Sequence, residues 1–94
     1  MTENKHVRVV IEGRVQGVWF RGWLVQQAGE RALRGWVRNR SDGTVEAVLS
    51  GPAPTVEAML AACHVGPPAA RVSRLSVEAA EPPAGSGFHP RPTC

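Results

Sequence analysis

The sequence predicts an α+β domain in which an antiparallel sheet carries two helices on one face. Four segments are rich in β-favouring or alternating apolar residues, and two others space their apolar residues as helices do. Their order is strand, helix, strand, strand, helix, strand. Each strand–helix–strand unit brings its strands parallel through a right-handed crossover, and a central hairpin joins the units. The prediction is therefore a ferredoxin-like βαββαβ sandwich.

The first part of the chain predicts a strand, a loop and a helix. Residues 7–12 place valine and isoleucine at alternate positions, which indicates a strand with one buried face. Residues 13–19 follow as a loop. From Phe20 onward the apolar residues recur at helical spacing, which predicts a core-facing helix over residues 20–31.

The middle of the chain predicts a hairpin and a second helix. Residues 33–40 and 44–50 are rich in β-formers and flank the turn Ser41-Asp42-Gly43. Asp-Gly between two such runs is a strong hairpin signal, so we expect antiparallel neighbours. Residues 56–63 then show helical spacing of apolar side chains, and Gly-Pro-Pro at 66–68 ends the predicted helix.

The last part of the chain predicts one more strand and a tail. Residues 71–78 have strand character, but the spacing between Val72 and Leu75 breaks strict alternation, which predicts a bulge or bend. Residues 79–94 are rich in proline, glycine and serine. We expect this tail of the single 1–94 domain to be loosely ordered, with Phe88 as its only large apolar anchor.

Composition narrows the class of partner. Eleven basic residues against eight acidic ones give a net charge of +3, which favours anions without reaching a nucleic-acid signature. The polar residues 1–6 contain no apolar signal segment, and no stretch suits a membrane span. Two cysteines do not predict a disulfide framework, so we expect a cytoplasmic protein without a membrane partner.

The loop between the first strand and the first helix is a candidate anion site. Residues 13–21 read Gly-Arg-Val-Gln-Gly-Val-Trp-Phe-Arg, and unpaired N–H groups at a helix start attract anions. Val18 and Trp19 stand where a Walker phosphate loop needs Lys and Ser or Thr. Arg21 lies in the first helical turn, where the helix dipole disfavours a cation unless an oxyanion is bound. A solvated arginine beside a plain turn is the alternative.

Asn39 is the second candidate site residue. It shares its side-chain parity with Gly35 and Val37 at the end of the second strand. Taken alone, it favours a structural role, because asparagine at a strand end often bonds its own backbone.

The histidines and cysteines suggest no further chemistry. His6, His64 and His89 are scattered without metal-ligand spacing, so we expect surface side chains and no metal site. Cys63 lies on the apolar stripe of the second helix and is predicted to be core, whereas Cys94 is predicted to be an exposed terminal thiol.

Three segments together resemble the acylphosphatase family. They are the loop at 13–21, Gly-Trp-Val-Arg-Asn at 35–39 and Asp-Gly-Thr-Val-Glu at 42–46, and the spacing of the first two matches. The resemblance covers Val7 to about Leu75. It implies that Arg21 binds the oxygens of a substrate phosphate and that Asn39 orients the attacking water. It also implies that the phosphate is cradled by the amides of Arg14, Val15, Gln16, Gly17, Val18 and Trp19.

The activity implied by this resemblance is hydrolysis of the carboxyl–phosphate bond of a small acyl phosphate to a carboxylate and inorganic phosphate. Phosphoryl transfer needs mainly positioning and charge stabilisation, which amides and a guanidinium supply. The leaving carboxylate has a pKa of about 4 and needs no general acid. We therefore expect a monomeric hydrolase that uses no metal or organic cofactor and binds no nucleic acid.

Two features depart from the family pattern. Ala32 stands where a glycine usually ends the first helix, so we expect a less well capped helix end. Prolines within residues 88–92 cannot donate to a sheet ladder, so the usual fifth strand is predicted to be shortened or lost. Both departures concern stability rather than the motifs.

Two other interpretations remain open at this stage. One is a non-catalytic ferredoxin-like module that binds RNA or a regulatory anion, although the chain has no tyrosine and two phenylalanines for base stacking. The other is a domain of a larger carbamoyl-transferring maturation protein, some of which carry an acylphosphatase-like module.

Overall fold

The six predicted elements form in the predicted order, and a short fifth strand follows them, within residues 3–94, the part of the chain that the computed structural model describes. The sheet order is β4-β1-β3-β2-β5, which confirms the ferredoxin-like fold. The sheet is antiparallel except for β5, which pairs with β2 in parallel. The elements are β1 (Asn4–Arg14), α1 (Phe20–Glu30), β2 (Arg34–Asn39), β3 (Val45–Pro52), α2 (Ala53–Val65), β4 (Arg71–Ala79) and β5 (Phe88–Pro90).

Alternation along the strands puts one apolar sheet face against both helices. Each helix contributes buried residues to a single core and the two helices contact each other. Shifting one strand by a residue would turn its apolar set to the open face, so this alternation fixes the register. The fully buried residues include Val9, Ile11, Val37, Ala47, Leu49, Leu24, Val56 and Met59.

The open sheet face carries a buried carboxylate. Glu46 of β3 is 4% exposed and accepts hydrogen bonds from the Nε atoms of Arg8 and Arg38. Burial favours a higher pKa for Glu46, but the two arginine hydrogen bonds and charges outweigh it, so the pKa lies below its usual value of 4.5. Glu46 therefore stays ionised and ties β1, β2 and β3 together.

The predicted irregularity in β4 is a β-bulge. Glu12 pairs with Arg74 but Gly13 pairs with Val72, so Ser73 is the extra residue. Gly13 has a φ of 123°, and a Cβ there would collide with the carbonyl oxygen of Arg71. The first strand also extends to Arg14, so Gly13 and Arg14 belong to β1 and not to the loop that we predicted over 13–19.

The C-terminal segment forms a short fifth strand. Prolines shorten this strand without abolishing it, and Phe88 is buried in the core as its anchor. Beyond it, Arg91 N donates to the carbonyl of Val37 at 2.8 Å, and Cys94 N donates to that of Asn39 at 3.2 Å. The predicted looseness of 79–94 stays a prediction, whereas residues 1 and 2 of the predicted domain lie outside the described residues. Over residues 3–94, no helix combines the length and hydropathy needed to cross a bilayer.

The cysteines and two histidines lie where the sequence predicts. Cys63 is buried, and burial raises the pKa of its thiol to about 12, while Cys94 is exposed. His64 and His89 are exposed. His6 is not a plain surface residue: it is half-buried, and its Nδ1 lies 2.6 Å from the Ser50 hydroxyl.

Candidate active site

A cavity of about 210 Å³ lies where the loop after β1, the start of α1 and the end of β2 meet. β1 and β2 are both antiparallel to β3, so they run in the same direction and their C-terminal ends lie at the same end of the sheet. That arrangement brings the two predicted catalytic residues to one cavity. The cavity is lined by Val15, Gly17, Trp19, Phe20, Arg21, Gly22 and Asn39.

The loop backbone leaves its donors free. Within residues 3–94, no backbone carbonyl accepts a hydrogen bond from the amides of residues 16–22. Gly17 and Trp19 adopt left-handed φ values of 73° and 66°, a geometry that can turn successive N–H groups toward an anion. These amides also lie at the positive end of the α1 dipole.

Three side chains of the loop hold it in place. Val15 and Val18 are 1% and 8% exposed and anchor the loop in the core. Gln16 donates through Nε2 to the carbonyl oxygens of Arg40 at 2.8 Å and Thr44 at 2.9 Å. The sequence predicted Gln16 only as a backbone contributor, because its partners lie across the fold in the β2–β3 turn.

Other predicted loop residues differ in how they meet the cavity. Arg14 is exposed at the end of β1, and its side chain does not line the cavity; nor do those of Gln16 and Val18. Trp19 lines the cavity and is 62% exposed at its mouth. Of the predicted cradle residues, Val15, Gly17 and Trp19 thus line the cavity.

Arg21 supplies a positive charge at this helix start. Its side chain is exposed and lines the cavity, and it forms no ion pair with any residue of the described range. The first turn of α1 contains no acidic residue, and its N-cap residue, Trp19, makes no capping hydrogen bond through its side chain. Arginine is disfavoured there by the helix dipole, so the position favours a bound anion over a structural role.

Asn39 brings a free acceptor to the same cavity. Its side-chain Oδ1 is buried and has no hydrogen-bond partner among the residues that the structure describes. Asn39 therefore does not bond its own backbone through Oδ1, which was the structural alternative. A buried unpaired acceptor costs about 1–3 kcal/mol. Such a cost at a cavity wall is typical of a group that serves a ligand.

The adjoining turn holds Asn39 at the strand end. Asp42 accepts hydrogen bonds from the Thr44 hydroxyl at 2.6 Å and the Thr44 amide at 3.0 Å. The hydroxyl bond is the largest cause that lowers the pKa of Asp42 below its usual value. Because Gln16 bonds the same turn, the loop and the end of β2 are fixed relative to each other.

A model of the acylphosphatase family matches residues 7–90. This chain belongs to the acylphosphatase family. A curated acylphosphatase of Rhodospirillum rubrum is 54% identical over 89 residues, which are 95% of this chain and 98% of that one. The acylphosphatase structure from Coxiella burnetii has a TM-score of 0.89 and 35% identity, covering 94% and 93% of the two chains.

The fold also occurs inside a larger protein. A structure of full-length HypF in a phosphate- and nucleotide-bound form has a TM-score of 0.88 and 23% identity, and it covers 99% of this chain but 12% of that one. This likeness shows the fold alone. The acylphosphatase relative from Rhodospirillum rubrum, by contrast, matches along nearly its whole length.

Family membership accounts for all three sequence motifs together. The first motif forms the end of β1, the loop and the start of α1, and the second ends at Asn39 in the same cavity. The third covers Asp42 and Thr44 of the supporting turn. No group of three His, Cys, Asp or Glu that could hold a metal occurs within residues 3–94.

Proposed function

We propose that this member of the acylphosphatase family hydrolyses small acyl phosphates at the cavity between the loop and Asn39. The loop amides and Arg21 hold the phosphate, and Asn39 orients the attacking water. One observation carries the proposal: Asn39, whose buried Oδ1 has no hydrogen-bond partner within residues 3–94, lines the same cavity as loop residues with free amides and Arg21, which forms no ion pair in that range. The acceptor suits a water and the donors suit an oxyanion.

Phosphate binding rests on three sources of positive potential. The free amides of the loop donate to phosphate oxygens, and the α1 dipole adds its positive end. The planar guanidinium of Arg21 can bind two oxygens at once through a fixed fork of N–H donors, which lysine lacks. Charge accumulates on the non-bridging oxygens in the transition state, so donors fixed beforehand stabilise it without reorganising.

Water attack follows from what an amide side chain can do. Oδ1 of Asn39 accepts a hydrogen bond from the water and directs its oxygen toward phosphorus. The carboxylate leaves from the opposite side of phosphorus and, with a pKa of about 4, leaves without protonation. Asn39 cannot take the proton, so the proton goes to the phosphate or to solvent.

In this proposal the protein acts as a monomer in the cytoplasm. It uses no metal or organic cofactor and binds no nucleic acid. The two free cysteines suit a reducing compartment. Trp36 on the open sheet face has the guanidinium groups of Arg38 and Arg91 over its ring, at 4.8 and 4.6 Å from the centroid. A base would have to displace one of them to stack there, which weighs against the RNA-binding alternative.

Arg21→Gln tests the binding role. We expect loss of measurable inorganic phosphate binding and of acyl phosphate turnover, because glutamine lacks both the charge and the fork of donors. Isothermal titration with phosphate and a phosphate-release assay measure the two effects. Arg74→Gln is the matched control, since Arg74 is an exposed arginine on the open sheet face that pairs only weakly with Glu12 at 3.7 Å. Near-normal turnover in Arg21→Gln would sink the assignment.

A further inference from the structure

Trp19 is a costly residue in its position. Its side chain is 62% exposed, and its φ of 66° is a left-handed conformation that bulky residues rarely adopt. Phosphate binding needs only the Trp19 amide, so nothing in that step requires an indole ring. Small residues would meet the backbone requirement at less cost. The ring therefore calls for a role of its own.

The indole ring is seated on Gly22. A Cβ added to Gly22 would collide with Nε1 and lie 2.7 Å from both Cδ1 and Cε2 of Trp19. The close contact with Nε1, together with equal 2.7 Å distances to the two ring atoms bonded to it, arises above the face of the ring rather than in its plane. One face of the indole thus lies flat against the Gly22 backbone. Glycine in a first helical turn, otherwise a poor helix former, provides the space.

The free side of the ring borders the path that an acyl group must take. Trp19 and Asn39 contribute to the same cavity, from the start of α1 and the end of β2. In-line attack by a water at Asn39 sends the leaving carboxylate away from Asn39. The acyl group of a bound substrate then extends toward the cavity mouth, where the exposed indole lies.

We propose that the exposed indole of Trp19 is the acyl-group platform of this site, and that it favours acyl phosphates with flat aromatic acyl groups. This inference rests on the proposed function, because it needs the phosphate at the loop. Aromatic rings gain attraction from stacking beyond that of buried area alone, whereas an acetyl group is too small to cover the ring. The ring then sets acyl preference, while Arg21 and the amides bind the phosphate common to all substrates.

The test is the ratio of kcat/KM for benzoyl phosphate to kcat/KM for acetyl phosphate. Comparing the ratio between variants cancels the chemical difference between the substrates and any shared change in phosphate binding. We expect Trp19→Gly, which suits the left-handed backbone, to lower the ratio about five-fold. Trp19→Phe retains an aromatic face and should keep most of the ratio. Gly22→Ala displaces the ring without changing residue 19 and should also lower the ratio.

Trp36→Ala is the matched control, because it removes a tryptophan from the opposite sheet face and should leave the ratio unchanged. An unchanged ratio in Trp19→Gly would overturn the inference, and so would an equal loss of kcat/KM for both substrates. Failure of the unaltered protein to hydrolyse acetyl phosphate would instead contradict the proposed function. If the unaltered protein hydrolyses acetyl phosphate but the ratio does not depend on the ring of Trp19, only the inference about the acyl group fails and the proposed function stands.

Discussion

Asn39 lowers the stability of the fold at the position that it occupies. Its Oδ1 is buried beside the cavity without a partner in the described part of the chain. Arg21 is a second such residue, because a cation in the first turn of α1 opposes the helix dipole. The sequence could predict both residue types and their positions. It could not predict that Oδ1 is unpaired, since that depends on how closely the loop approaches the end of β2.

Asn39→Ala separates catalysis from binding and stability. We expect turnover to fall at least 100-fold, because the variant cannot orient the water, while affinity for inorganic phosphate changes little. Removing an unpaired acceptor should leave the free energy of unfolding unchanged or raise it by up to about 1 kcal/mol. Steady-state kinetics, phosphate titration and urea unfolding measure the three quantities. A marked loss of phosphate affinity would show that the role of Asn39 is misassigned.

At the scale of elements, the end of α1 is more ordered than its sequence suggests. Ala32 has a φ of 55° and donates to the carbonyl of Gly29 at 3.0 Å, and Leu33 donates to that of Ala28 at 2.9 Å. These are the two bonds of a Schellman motif, in which glycine usually takes the left-handed position. The helix end therefore forms with alanine at a steric cost.

Ala32→Gly should stabilise the protein by about 0.5–1 kcal/mol, because glycine adopts a positive φ without strain. The corresponding rise in Tm is about 3–6 °C for a domain of this size, with unchanged turnover. Calorimetry and the phosphate-release assay check both. Ala58→Gly, in the exposed interior of α2, is the control and should lower stability by about 1 kcal/mol. A destabilised Ala32→Gly would mean that the left-handed position carries no strain.

Signals within short segments of the sequence predicted most helices and strands. The features that the sequence did not predict depend on contacts between segments that are far apart in the chain. Asp-Gly and the helical spacing are signals within short segments, and the hairpin and both helices that they predict are confirmed. Pairing of β5 with β2 depends on a segment about 50 residues away, and Phe88 gave only a hint of it. The anchoring of the loop by Gln16 was likewise invisible, because its acceptors are backbone atoms of a distant turn.

Across the whole molecule, Glu46 links three strands through Arg8 and Arg38. Its side chain is 5% exposed, while those of the arginines are about one-third exposed. A carboxylate whose pKa is lower in the folded state than its usual 4.5 stabilises the fold above pH 4.5. That contribution disappears as the pH falls through the lowered pKa. Asp42, whose pKa is also lowered, acts in the same direction.

Stability should accordingly fall as the pH drops below 4.5, the usual pKa of Glu46. Glu46→Gln should cost about 2 kcal/mol at pH 7, because an amide cannot replace both charged hydrogen bonds. The cost should be smaller at pH 3, because that pH lies below the usual pKa of 4.5, where the contribution of the ionised carboxylate declines. Urea unfolding of both proteins at the two pH values tests this. An equal difference at pH 3 and pH 7 would contradict the role of the ionised carboxylate.

Hydrolysis at a site of amides, one arginine and one asparagine restricts the substrate to one that can lose its leaving group unprotonated. The direct measurement is phosphate release from acetyl phosphate and from p-nitrophenyl phosphate by the purified protein, with and without EDTA. We expect rapid hydrolysis of acetyl phosphate that EDTA does not change, and at most trace hydrolysis of the ester. Comparable rates on the two substrates, or loss of acetyl phosphate hydrolysis with EDTA, would contradict the proposed hydrolysis of acyl phosphates without a metal.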